Sequence, residues 1–330
     1  MSSAEHAEQK FRIRLALLSI VAGSILLGLK YLSFVLSGSV ALKSDAIESI
    51  VNVVAGVFAL GAVVFAGRPA DKEHPYGHGK IEHFSAAFEG GLISLAAVFI
   101  LLEAGKGLIY GVELKDIGRG LAVNLFAGSL NGLLGWYMLR QGRRTRSRAL
   151  EADGHHILSD FWTTIGIGAG LIAVKLTGIH WLDPLMALVV GLLLARTGFK
   201  LVKESSQALL DMEDPEVLAK VLDAMNRVRT WDILAVHEMR TFRSGRYTHV
   251  DVHIVVPEFY PVREAHDLCE AFGAKALEDG RIEGEVHTHV DPCGRLYCSR
   301  CPAESCAIRV APKTAESAFT LDEATAAGPA

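Results

Sequence analysis

Residues 151–174 read EADGHHILSDFWTTIGIGAGLIAV. Carboxylates and two adjacent histidines run directly into a stretch apolar enough to lie in lipid. An ionised carboxylate at the bilayer centre costs about 2.5–3.5 kcal/mol on insertion scales, so such groups call for a function or a buried partner. His156 and Asp160 are four residues apart and therefore share one helix face, one turn apart. Residues 44–52, SDAIESIVN, repeat the arrangement with Glu48 and Asn52, and each pair has an acid three residues earlier, Asp45 and Asp153. Two such pairs on antiparallel helices supply the four corners of a tetrahedral metal site. The structural alternative is polar groups that pair only with each other and glue two helices together.

The whole chain fits a membrane protein. Its 330 residues are 50% hydrophobic with a mean hydropathy of +0.30, more apolar than an ordinary soluble enzyme. The net charge of −4 offers no basic patch for nucleic acid. Of the cysteines, all but Cys269 fall in the last 40 residues, which is not a secreted disulfide framework and reads as thiols in a reducing cytosol. Spanning ~30 Å of hydrocarbon takes about 20 apolar residues, and six candidates precede residue 210: 13–36, 40–66, 84–110, 117–139, 150–176 and 181–202. The first follows Lys10, Arg12 and Arg14 but is too long for a signal-peptide core. Arg68, Lys72 and Lys80 after the second span, and RQGRRTRSR (140–148) after the fourth, place those loops and both termini in the cytoplasm.

From residue 210 the pattern becomes that of a soluble α+β domain, ordered helix, strand, strand, helix, strand. Asp214 and Pro215 open a helix, and Ser244-Gly245 turns a hairpin. In YTHVDVHIVV (247–256), His249, Asp251 and His253 alternate with Val250, Val252 and Ile254, so one strand face is core and the other carries ligand-type side chains. The last strand repeats this with His287, His289 and Asp291. The domains are therefore expected at 1–209 (transmembrane helices), 210–292 (soluble α+β) and 293–330, a Cys-containing extension with an Ala-rich tail expected to be mobile.

The segments GSVALKSDAIESIVN, RPADKEHPYGHGKIEHFSA, EADGHHILSDFW, LLD and HVDPC together resemble the cation diffusion facilitators, in particular the bacterial zinc/iron-type members. The resemblance implies an α-helical membrane protein with six transmembrane helices and a cytoplasmic ferredoxin-like domain. It further implies a homodimer in the bacterial inner membrane that exchanges a divalent transition metal for protons, and no enzyme. Zinc is the first candidate as both cargo and regulatory ligand, with no organic cofactor. The transport site falls at Glu48, Asn52, His156 and Asp160, with Asp45 and Asp153 as supporting acids. Glu48 and Asn52 depart from the more usual Asp or His followed by Asp. The resemblance also carries over a loop metal site at Asp71, His74 and His78, cytosolic ligands at His237, His253, His266, His289 and Asp291, and a charge contact between Lys80 and Asp211.

Imidazole and carboxylate suit zinc and its neighbours, and because ligands bind metal only when deprotonated, protons compete with the ion. Cys293, Cys298, Cys301 and Cys306 form C-x4-C-x2-C-x4-C, which reads as a zinc site, with outer spacings unlike a standard zinc ribbon, as an iron-sulfur cluster site, or as a reduced tail. A membrane metalloprotease requires HExxH or a comparable base, and the chain has none. A metal sensor without transport explains the cytosolic histidines but leaves the intramembrane acids without a role.

Overall fold

The computed structural model describes residues 3–144, 148–245, 247–301, 306, 308–314 and 318–328; the side chains of 3–9, Arg12, 148–153 and His155 fall outside that description. The chain divides into two compact units, Met1–Phe65 with Ile81–Ser206, and Ala66–Lys80 with Gln207–Ala330. The loop after the second helix thus belongs to the C-terminal unit.

The first unit holds six long helices: α1 (Ser3–Ser37), α2 (Val40–Ala66), α3 (Ile81–Tyr110), α4 (Ile117–Arg144), α5 (Arg148–Thr177) and α6 (Leu182–Leu209). Five of them contain stretches long and apolar enough to cross a membrane: Ile13–Ser37, Val40–Ala66, Ile81–Tyr110, His156–Thr177 and Leu182–Leu209. The sixth expected span, on α4, does not reach that standard, because buried Asn124 and Asn131 and its glycines dilute the apolar run. Large apolar side chains such as Val21, Ile25, Leu102, Trp162 and Phe199 face outward, as the outside of a lipid-embedded bundle requires. α4 packs on α1 and α5. The α4–α5 approach is so close that a Cβ on Gly154 would lie 2.5 Å from the backbone nitrogen of Leu139, the small-residue packing that membrane helices favour.

The start of α2 has no acid of its own. Asp183, at the start of α6, supplies one: its carboxylate accepts from the Ser39 hydroxyl (2.5 Å) and from the backbone N–H groups of Val40 (2.7 Å) and Ala41 (3.4 Å). A fully buried acid is thereby satisfied by orphan helix N–H groups and the positive end of the helix dipole.

The second unit contains α7 (Pro215–Val228), β1 (Ala235–Ser244), β2 (Tyr247–Val256), α8 (Val262–Gly280), β3 (Gly284–Pro292) and a short α9 (Leu321–Thr325). Asp214 caps α7 by accepting from the N–H groups of Glu216 and Val217, with Pro215 in the first turn, as the capping pattern demands. The sheet order is β1-β2-β3, with β1 antiparallel and β3 parallel to β2. Among the described residues this is a mixed three-stranded sheet, one strand short of the β-α-β-β-α-β order of a ferredoxin-like fold. Leu218, Val221 and Met225 of α7 and Cys269, Phe272 and Ala276 of α8 pack on Val250, Val252 and Ile254.

The tail expected to be mobile is packed where it is described. Phe319 and Ala324 are buried in this core. Asn226 exchanges two hydrogen bonds with the Phe319 backbone (3.0 and 2.8 Å), and Arg229 lies over the Phe319 ring at 4.2 Å. A capping box from Thr320 and Glu323 starts α9.

Candidate metal sites

On α2 and α5 the two helical pairs meet. Asn52 donates from Nδ2 to Asp160 Oδ2 (2.7 Å), and its Oδ1 lies 3.2 Å from His156 Nε2. Since Oδ1 can only accept, this contact assigns the hydrogen to Nε2 of the imidazole. Glu48 and Asp160 are buried and interact as neighbouring carboxyls, while Glu48 Oε2 has no hydrogen-bond partner among the described residues. All four residues of the expected site thus converge, with the Asn52 amide bridging two of the others. Asp45 is turned elsewhere: Lys30 of α1 donates to its Oδ1 at 2.7 Å, both side chains essentially inaccessible, and Thr164 lies 3.5 Å from Oδ2. Asp153 lies outside the described side chains.

Lys30 beside this site was missed by the sequence reading. Its ammonium is the buried cation beside Asp45, and Asp160 and Glu48 lie within its field. The available signal was a lone lysine inside the apolar run LLGLKYLSF (26–34), a placement that usually marks an internal partner.

Two clusters of described residues bring three metal-ligand atoms within 4.8 Å of one another. The first is the loop trio. Asp71 accepts at Oδ1 from the backbone N–H groups of His74 (2.7 Å) and Glu73 (2.9 Å) and stands 3.2 Å from His74 Nδ1, while its Oδ2 is 3.3 Å from His78 Nε2. The backbone donation from His74 holds the Asp71 carboxyl below the usual range, so it stays ionised as a ligand must. Nearby, Lys80 contacts both Asp211 oxygens at 2.7 and 2.8 Å, the pair named from the resemblance. Gly79 abuts the β1–β2 turn so tightly that a Cβ would sit within 2.3 Å of the Ser244 carbonyl.

The second cluster is His237, His253 and Asp291. Asp291 Oδ2 is 3.1 Å from His237 Nε2 and 2.9 Å from His253 Nδ1, and its Oδ1 is 3.5 Å from His289 Nε2. Register explains the convergence: His237 faces His253 across β1–β2, and His253 faces His289 across β2–β3. His266 is apart on α8, exposed and beside Asp267. His249 and His287, on the same strand face, converge instead on Glu285 at 2.8 and 3.2 Å. His249 is buried and stacked on Phe242, whereas His287 is exposed. Burial alone would push the Glu285 carboxyl up, but hydrogen bonds from the two imidazoles prevail and hold it below its ordinary value.

Residues 16–210 match the family model of the cation efflux transmembrane domain, and residues 214–293 that of the cation efflux protein cytoplasmic domain. The chain belongs to the cation efflux family. It is 37% identical over 278 residues to an uncharacterized transporter of Synechocystis sp., covering 84% of this chain and 89% of the relative. It is 32% identical over 282 residues to the cation-efflux pump FieF of Serratia proteamaculans (84% and 92%) and 32% over 281 residues to FieF of Yersinia enterocolitica (84% and 91%). As a cation efflux protein the chain is a multi-pass membrane transporter with divalent metal cations as cargo. The α2–α5 meeting point and the loop trio lie within residues 16–210, and the His237–His253–Asp291 cluster within 214–293. Cys298, Cys301 and Cys306 lie beyond both matched ranges.

Proposed function

We propose that this transporter exports a divalent transition metal, zinc foremost, from the cytoplasm in exchange for protons at Glu48, Asn52, His156 and Asp160. The observation that carries this reading is the contact of Asn52 with both His156 and Asp160 on two apolar helices. An amide bridging an imidazole and a carboxylate keeps the ligand atoms together between ions. To ligate through Nε2, His156 must carry its proton on Nδ1 and not on the nitrogen that faces Asn52, and the amide must rotate so that its oxygen, not its nitrogen, faces the cation. Any proton held by Glu48, Asp160 or a doubly protonated His156 must leave before that group binds metal, and protons arriving from the opposite side compete for the same atoms.

In this reading α4 completes six spans, both termini are cytoplasmic in a bacterial inner membrane, and α7-β1-β2-α8-β3 is a ferredoxin-like unit without its first strand. Two copies pair through it. Asp45 and Asp153 support the transport ligands, Asp45 through Lys30. The loop trio takes metal weakly, Lys80 and Asp211 fasten the loop, and His237, His253, His289 and Asp291 bind regulatory metal, with His266 as a further ligand.

Proteoliposomes with an imposed pH gradient and a panel of zinc, iron, cobalt, manganese and cadmium test the proposal. Gradient-dependent zinc flux, abolished by His156→Ala and Asp160→Asn but retained in His253→Ala, is expected. Metal binding without flux in the wild type instead favours a membrane-bound sensor. Near-normal flux in His156→Ala removes this site from the mechanism.

A further inference from the structure

Beyond β3 the described residues bring four thiols around one cavity. Cys293, Cys298 and Cys301 are buried and Cys306 partly so, all as free thiols, and the four line one cavity of about 10 Å³ walled by Leu234 and Ile308. The fifth cysteine, Cys269, is elsewhere, in the α7–α8 core.

The backbone is shaped to present these sulfurs. Gly294 and Arg295 both take left-handed conformations (φ 52° and 65°) directly after Cys293. That is a disfavoured state for an arginine, and it turns the chain back on itself. Successive turns then close from Leu296 N–H to Cys293 O (3.2 Å), Cys301 N–H to Tyr297 O (2.8 Å) and Arg309 N–H to Cys306 O (3.3 Å). Arg309 donates to the carbonyls of Cys298 (2.7 Å) and Cys301 (3.0 Å), fixing the central C-x2-C pair. Of the arginines in the segment, Arg295 and Arg300 pair with Glu258 and Glu323, and Arg309 is the cation held at the central cysteines, where it offsets part of the negative charge of a dication bound by four thiolates.

We propose that Cys293, Cys298, Cys301 and Cys306 hold one resident zinc ion, chemically distinct from the His/carboxylate sites of the transport reading, that fastens the C-terminal extension to the sheet. Separations of two and four residues fall within those used by structural zinc sites. Four thiols give up four protons to form the tetrathiolate complex. Among the described residues no three of the sulfurs lie within 4.8 Å of one another, so loading the ion must draw them to the ~3.8 Å separations that bonds of ~2.3 Å set in a tetrahedron. The ion would clamp this segment onto Leu234, just before β1, and Val255 of β2, close in sequence to His237 and His253.

The test uses the full-length protein in detergent under reducing conditions. Cobalt should give a thiolate-to-metal charge-transfer band in the near ultraviolet, which nitrogen and oxygen ligands do not produce. Zinc-loaded protein should keep one ion per chain through a chelator wash that empties the His/carboxylate sites. Cys298→Ser/Cys301→Ser should lose both signals. Zinc should also shield four thiols of the wild type from alkylation, a measurement that needs no variant. Cys269, fully buried with its thiol pushed up to about 11 by burial, stays silent in the count. Absence of the cobalt band together with equal alkylation with and without zinc overturns the proposal, whatever the outcome of the transport assay.

Discussion

Lys30 and Asp45 show what one buried pair commits a helix bundle to. Removing one partner of a buried ion pair typically costs about 3–5 kcal/mol, because the remaining charge is left without compensation, whereas replacing both by apolar residues is far milder. Lys30→Met should therefore lower stability in detergent by that order, and Lys30→Met/Asp45→Leu should recover most of it; denaturant titration followed by circular dichroism reads the difference. A single variant as stable as the wild type would show that the pair contributes nothing. Asn52 is the second decisive residue. With Glu48 and Asp160 ionised, Asn52→Asp adds a third negative charge beside His156 and removes the donor that Asp160 now accepts from. Zinc affinity should rise on the order of tenfold, ~1.4 kcal/mol, with a steeper pH dependence. Calorimetry at several pH values measures both, and a folded variant with unchanged affinity removes Asn52 from the ligand set.

Between elements, two glycines fix how closely segments approach. Gly154 lets α5 touch the α4 backbone at Leu139; Gly154→Ala has no flexible neighbour to displace and must part the helices, an overpacking cost of about 1–3 kcal/mol. Since His156 lies two residues on, zinc flux should fall while membrane insertion is retained, and reconstituted transport decides it. Gly79 packs on the β1–β2 turn in the same manner. Across β2 and β3, Glu285 serves His249 and His287. A carboxyl held below its unfolded value stabilises the fold above about pH 4.3, and that contribution is lost as pH falls through the lowered folded value. Glu285→Gln should flatten this part of the acid-unfolding profile, and an unchanged profile would show the pairing to be energetically idle.

For the molecule as a whole, the cytoplasmic cluster matters only if metal favours one assembly state over another, since a ligand shifts an equilibrium by no more than its differential affinity. Zinc should tighten self-association of the full-length protein, and His253→Ala/Asp291→Asn should abolish the effect; sedentation equilibrium in detergent with and without zinc reports it. Equal association in both conditions would confine the cluster to binding without regulation.

Much of this was legible locally. Helix lengths, the i, i+4 pairs His156/Asp160 and Glu48/Asn52, and the alternation that lines β2 with histidines follow from periods of 3.6 and 2 residues that any short window contains. The three strands and the asparagines and glycines of α4 are equally local; the packed tail was not legible, because it depends on what a segment finds to pack against. The same holds for the contacts that close over long separations. Asp183 caps α2 from the start of α6, Lys30 neutralises Asp45 from α1, and Asp291 gathers His237 and His253 from two other strands. A side chain's chemistry states that a buried charge requires a partner; which residue answers is decided only when the chain path brings distant segments into hydrogen-bond contact.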